Sequence, residues 1–263
     1  MNLPVEVLKA VKEKQCVIFA GPGFARESIS LNGGEPPDDL SKAKAFGWKR
    51  PRQLMGTRNR RVIPSPSQAA ESFSAQYGRE EMLGVLKHQL RLDEINPTSA
   101  HTHVLKHFPL VITTAVDSLW EEEVRESGSH ELKYNGDTLD NINPELPCVY
   151  HLWGCVSNSK SVVLTTSDIE KPMAAHIEKS LKTLLRRRVI FFVGYRPDEE
   201  HFENLWTVLS RIYGGELPRC HLAVAQGKID DYLWQKWVWR GLLMFTADPT
   251  DCLKVLTESL VDE

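Results

Sequence analysis

Val17-Ile18-Phe19-Ala20-Gly21-Pro22-Gly23-Phe24-Ala25 joins an uninterrupted apolar run to a Gly-x-Gly turn. A strand covered on both faces has no reason to alternate apolar with polar residues, so a continuous run of this length reads as the centre of a parallel sheet. The glycines allow backbone to approach a ligand diphosphate at a helix start. A tight strand-to-helix turn needs the same glycines for steric reasons alone. Outward from Cys16 to Gly21, runs of the same kind recur at Leu110 to Ala115, Cys148 to Trp153, Val189 to Tyr195, Cys220 to Ala225 and Leu242 to Ala247. Helical spacing lies between them, as in Phe202, Leu205, Trp206, Leu209 and Ile212, or Ile177, Leu181, Leu184 and Leu185. The pattern predicts an α/β fold, a Rossmann-like doubly wound six-stranded parallel sheet, with a short edge strand at His130 to Tyr134.

Residues 26–92 interrupt the alternation. Arg26 to Pro66 is rich in Gly, Pro and charge, and Pro66 to Leu92 reads as two helices broken near Gly78 and Gly84. An insertion after the first strand falls over the carboxyl edge of the sheet, where ligands of such folds bind. With no internal repeat and no low-complexity linker, the expectation is one domain over 1–263. The end of the chain just after a helix at Leu253 to Val261 fits a module of a longer protein.

Composition narrows the function. The 263 residues include 32 Lys+Arg against 35 Asp+Glu, a net charge of -3, which excludes a wholly basic nucleic-acid binder but not a local basic patch. The longest apolar runs fall far short of the ~18 to 20 residues that span a bilayer, so no membrane partner is expected. Charged residues among the first fourteen argue against a signal peptide. Five scattered cysteines, with no CxxC pair, read as reduced buried thiols of a cytoplasmic protein.

Three further strand ends carry polar residues or glycine: Thr113-Thr114-Ala115-Val116-Asp117, His151-Leu152-Trp153-Gly154, and Val193-Gly194-Tyr195-Arg196-Pro197-Asp198. Asp117 also suits a cap for the helix expected over Ser118 to Arg125. Taken in order, the four motifs resemble the sirtuin-like NAD-binding family, in particular its bacterial, zinc-lacking branch of anti-phage defence proteins. The matching residues are Gly21, Gly23, Thr113, Thr114, Asp117, Leu152, Gly154, Gly194, Tyr195 and Asp198. The resemblance implies NAD or ADP-ribose as the nucleotide, held by Gly21, Gly23, Phe24, Thr114, Asp117, Gly154, Gly194 and Tyr195.

The departures concern chemistry. Ala115 stands where the family has the asparagine that orients ribose or water, and Trp153 stands where it has the histidine that serves as base. Neither side chain accepts a proton at neutral pH. Pro22 and Ala25 replace alanine and serine of the glycine turn. His151 does not substitute for the base, since residues 151 and 153 of a strand share a face about 6 to 7 Å apart. Asp117 is then the fallback catalytic carboxylate.

Other constellations allow two readings each. His103 and His107 are i, i+4 on an expected helix near His101, but no further ligand accompanies them, so no metal is expected; His107 alternatively meets the carbonyl end of the helix. Lys42, Lys44, Lys49, Arg50, Arg52, Arg58, Arg60 and Arg61 form a basic segment without an acidic residue. It suits nucleic acid, nucleotide phosphates, an acidic face of another subunit, or a solvated loop. Arg186-Arg187-Arg188 ends a helix, where positive charge complements the dipole and needs no partner. Trp234, Trp237 and Trp239 with Tyr232 suit core packing or a subunit interface.

The expected function is therefore a catalytically degenerate sirtuin-like domain acting by nucleotide binding, by homo-oligomerisation, or both, in a defence or signalling assembly. The alternative is an active NAD glycohydrolase, and a second alternative is a nucleic-acid-associated module.

Overall fold

The computed structural model describes residues 4–23, 45–46, 64–90, 95–135, 137, 147–170, 181–182, 184–186, 188–215, 217–224, 229–247 and 249–258. Its strands are β1 (Cys16–Ala20), β2 (Leu110–Thr113), β3 (Glu131–Tyr134), β4 (Cys148–His151), β5 (Val189–Val193), β6 (Cys220–Val224) and β7 (Leu242–Thr246). They form a 7-stranded sheet in the order β3-β4-β2-β1-β5-β6-β7. Every pairing is parallel. The strand beyond the six expected is the polar edge strand β3, which joins the same sheet.

The reason for the continuous apolar runs is visible in the packing. Val17 and Phe19 of β1, Ile190 and Phe192 of β5, and Leu110 and Ile112 of β2 belong to one buried cluster. Their neighbours Ile18, Ala20, Phe191, Val193 and Val111 belong to a second cluster. Alternate residues of a strand point to opposite faces, so two cores on one sheet demand apolar residues at every position.

The helices are α1 (Val5–Lys12), α2 (Pro66–Tyr77), α3 (Arg79–Leu90), α4 (Ser99–His107), α5 (Leu119–Ser127), α6 (Thr166–Glu170), α7 (Glu200–Tyr213), α8 (Asp231–Trp239) and α9 (Pro249–Glu258). On the first face lie Phe202, Leu205, Trp206, Leu209 and Ile212 of α7 with Trp237 of α8. The second face is covered by Val7 and Val11 of α1, Val104 of α4, and Leu253 and Leu256 of α9. From β1 the chain builds one half of the sheet through β2, β3 and β4, then crosses to β5 on the other side of β1. The strand order therefore reverses between β1 and β5, and such a reversal opens a crevice at the carboxyl edge.

The described part of residues 26–92 makes a third core. Ser65 accepts the Gln68 backbone N–H and its own N–H is met by the Gln68 side chain, a reciprocal cap that starts α2 with Pro66 at its first position. Ala70, Met82 and Leu86 of α2 and α3 pack on Cys155, Val156 and Val162 beyond β4. The helices break at Gly78 alone: Gly84 lies within α3, where nothing approaches the place of its missing side chain.

The strand runs also end sooner than expected, by one to two residues. Ala115, Trp153 and Tyr195 have left the sheet yet remain 2%, 6% and 4% exposed. They line the carboxyl edge, which is why hydrophobicity alone extends the strands through them.

Candidate functional site

Gly21 and Gly23 end β1 against Gly194, which ends β5. The Gly21 N–H donates to the Val193 carbonyl and the Gly23 N–H to the Gly194 carbonyl, both at 2.8 Å. A Cβ on either Gly21 or Gly23 would stand 2.5 Å from the Gly194 oxygen. The glycines thus seat the two loops of the switch point directly on one another, the steric role that a tight turn requires. Both of these N–H groups are engaged within the protein, and Pro22 has none to offer. Phe24 lies outside the described residues.

A polar relay crosses the crevice beside this junction. The Ala20 carbonyl, the last of β1, accepts from the Thr114 N–H at 3.2 Å, from Thr113 Oγ1 at 3.0 Å and from the Tyr195 hydroxyl at 3.2 Å. Thr113 Oγ1 in turn accepts the Ala115 N–H at 3.0 Å, which fixes the loop after β2. Thr114 Oγ1 lies 2.7 Å from the Tyr195 hydroxyl and 2.6 Å from His201 Nε2. Burial pushes the Tyr195 phenol up, so it stays protonated as a donor. Two proton arrangements satisfy the relay. Either Tyr195 donates to Ala20 while Nε2–H donates to Thr114, or Tyr195 donates to Thr114, whose hydroxyl donates to a bare Nε2.

His201 is the residue that sequence reasoning missed. It occupies the first turn of α7, directly after the Gly194 to Asp198 loop, and its ring meets the Trp153 indole edge-on at 4.2 Å. The signal was its position: a histidine opening the helix after the second switch-point strand must sit at the carboxyl edge. The same turn carries Glu200, which accepts a hydrogen bond from Ser67 of α2 at 2.6 Å. Behind the loop, the Trp237 indole N–H donates to the Pro197 carbonyl at 2.9 Å, while Arg196 pairs with Asp198 at 2.6 Å.

The structure puts the other candidates in different surroundings. Asp117 is buried and accepts the Leu119 N–H at 3.2 Å, so its carboxylate caps the start of α5. Burial, helped by Glu122 and Glu121, raises its pKa to about 6. Trp153 and His151 do not share a face, because the chain turns after β4, with the Gly154 N–H on the His151 carbonyl at 3.1 Å. Trp153 joins the aromatic core, whereas His151 stacks on Tyr134 at 5.4 Å. Burial lowers His151 to about 4, so it is neutral. Gly154, at φ 75, lets the loop close on the Ser161 backbone, which a side chain would strike.

Elsewhere, His101 is a buried helix cap whose Nδ1 meets the Thr98 N–H at 3.1 Å, and His103 bonds the Ser99 carbonyl at 2.6 Å. His107 is shifted down by burial and by Lys106 and His103, the opposite of what the carbonyl end of a helix alone would do. Among the described residues no three His, Cys, Asp or Glu side chains are placed to hold a metal. All five cysteines are free and buried. Among the described residues no helix is long and apolar enough to cross a membrane. Trp237 is core, while Trp239 is 80% and Tyr232 77% exposed. The basic residues Lys42, Lys44, Lys49, Arg50, Arg52, Arg58, Arg60 and Arg61 lie outside the described residues.

Comparison with known proteins follows this geometry. A family model described as a SIR2-like domain matches residues 109–240. That span holds Thr113 and Thr114 at the end of β2, the Leu152 to Gly154 turn and the Gly194 to Asp198 loop. Among solved structures, the chain is similar to the crystal structure of a Sir2 homolog–NAD complex, with a TM-score of 0.52 and 14% identity over 99% of this chain and 95% of that one. At that identity the likeness is one of fold. No curated protein sequence matches the chain.

Proposed function

The chain belongs to the SIR2-like domain family, and on that premise we propose that it is a catalytically degenerate member which binds NAD or ADP-ribose in the crevice between β1 and β5 without cleaving it. The observation that carries this reading is Trp153. Its indole is packed into the aromatic core and against His201, where the family resemblance calls for a proton-accepting imidazole, and Ala115 beside it has no amide to orient ribose or water. The NAD complex of the structural neighbour supports the choice of nucleotide.

Polar side chains at the crevice include Thr114 and His201, hydrogen-bonded to each other, and the N–H groups of Gly21 and Gly23 serve Val193 and Gly194, so a nucleotide held here exchanges bonds that the protein now makes within itself. In this reading the bound nucleotide acts as a signal or a structural ligand, and the domain works through association with further copies in a defence or signalling assembly.

A second reading has its own observation. In the arrangement with a bare Nε2, His201 is a base hydrogen-bonded to Thr114, which would let the chain act as an NAD glycohydrolase by a relocated imidazole. Incubation with NAD at micromolar protein separates the two. Saturable NAD binding without time-dependent nicotinamide release supports the degenerate domain; release that disappears in His201→Ala establishes the glycohydrolase instead.

A further inference from the structure

The sheet has a second opening at its other end. Where β5 and β6 begin, a cleft of about 470 Å³ is lined by Lys182, Arg186, Arg188 and Arg219 together with Tyr213, the last residue of α7. The full length of β5, about 13 Å at ~3.3 Å per residue, separates it from the Gly194 crevice. Of the four cations, Arg219 is paired with Glu6. Arg188 reaches the Lys14 carbonyl at 3.5 Å, a neutral partner, and among the described residues neither it nor Lys182 nor Arg186 has a carboxylate partner. Burial lowers the pKa of Arg188, as expected of a cation held without a counterion.

Helix dipoles do not absorb this charge. Net of Glu6, the described lining residues hold three positive charges. The carbonyl end of α7 supplies roughly half a negative charge. At least two positive charges are left among the described residues. The Tyr213 hydroxyl, moreover, is buried and has no hydrogen-bond partner among the described residues. Burial, with Cys220 nearby, pushes its phenol up, so the group stays a donor without an acceptor among the described residues. A buried donor left unmet costs stability unless a ligand or water meets it.

We propose that this cleft is a second ligand site, for a phosphorylated small molecule of nucleotide size, with the phosphate held by Lys182, Arg186, Arg188 and the Tyr213 hydroxyl. A phosphate monoester carries about -1.5 to -2 charges near neutral pH, which matches the surplus. The volume exceeds what one phosphate needs and falls among small-molecule pockets of roughly 300–1,000 Å³. Val189 and Leu217 supply an apolar wall for the organic part. Guanidinium groups suit phosphate oxygens through paired N–H donors.

Calorimetry with AMP, on the full chain, tests the site. The exposed pair Lys182→Glu with Arg186→Glu should weaken AMP binding by roughly a hundredfold, and Tyr213→Phe by about tenfold, with far-UV circular dichroism unchanged in both. Adenosine should not compete, since it lacks the phosphate. Thr114→Val, at the opposite edge, should leave the AMP affinity of this site unaltered. Equal AMP binding by wild type and the charge-reversed pair would overturn the proposal. So would retention of duplex RNA or DNA through these residues without any AMP binding, which would make the cleft part of a polynucleotide surface.

Discussion

Replacing Asp117 by asparagine should stabilise the protein at neutral pH, and increasingly so as pH rises. The Asp117 carboxyl is buried at the start of α5 and titrates at about 6 because burial, with Glu122 and Glu121 nearby, opposes its ionisation. In the unfolded chain it titrates near ~3.9. A raised folded pKa means that the folded state holds the proton more tightly. Ionisation therefore opposes folding, a penalty absent below about pH 4, growing between pH 4 and 6 and complete above. At ~1.4 kcal/mol for each pH unit of separation, it reaches about 3 kcal/mol. Asparagine cannot ionise, and its oxygen still accepts the Leu119 N–H that Asp117 now accepts. Parallel urea unfolding of the two proteins from pH 4 to 7 cancels the other carboxylates, so the stability of Asp117→Asn relative to wild type should climb by about 2 kcal/mol over that range. A difference that stays flat to within ~1 kcal/mol would refute the reasoning and show the carboxylate to be fully solvated or matched by donors.

Gly154→Ala should cost about 2–4 kcal/mol in the same unfolding assay, because a Cβ at φ 75 strikes the Ser161 backbone; a loss under ~1 kcal/mol would show that this loop yields freely. Ala115→Asn combined with Trp153→His should return an ordering amide and a base to the carboxyl edge. Nicotinamide release by the pair and by neither single change is expected, and a pair that still cannot bind NAD would count against a shared ancestral site. Sedimentation should show self-association. Contacts through Lys42 to Arg61 would weaken once the Debye length falls below ~10 Å, while burial of Trp239 and Tyr232 would hardly respond to salt. A strict monomer in both low and high salt would remove self-association from the account.

The sheet was legible because burial on both faces writes itself into every residue of β1, β2 and β5. Its order followed less directly. Nothing local in Glu131–Tyr134 says that a half-exposed, charged strand joins the parallel edge beside β4. The glycine motifs at residues 21, 23, 154 and 194 were legible as turns, and in the structure each is held by backbone contact. Their engagement with one another was not, since a Gly-x-Gly turn that cradles a ligand and one that seats another loop have the same sequence. His201 escaped for a related reason: its significance comes from Thr114 and Trp153, remote in sequence and brought together only at the switch point. Asp117, singled out as a carboxylate at a strand end, resolves into the helix cap that its position also allowed. The basic cleft was hidden because Arg186 to Arg188 reads locally as dipole complement, and only the tertiary approach of Arg219 and Tyr213 exceeds it.

The crevice between β1 and β5 is most directly tested by ADP-ribose titrated into wild type and into Thr114→Val, whose missing hydroxyl breaks the link between Tyr195 and His201. The account predicts saturable binding to wild type and about tenfold weaker binding to the variant at unchanged fold. Equal affinity in the two proteins, or no binding to either, would contradict it.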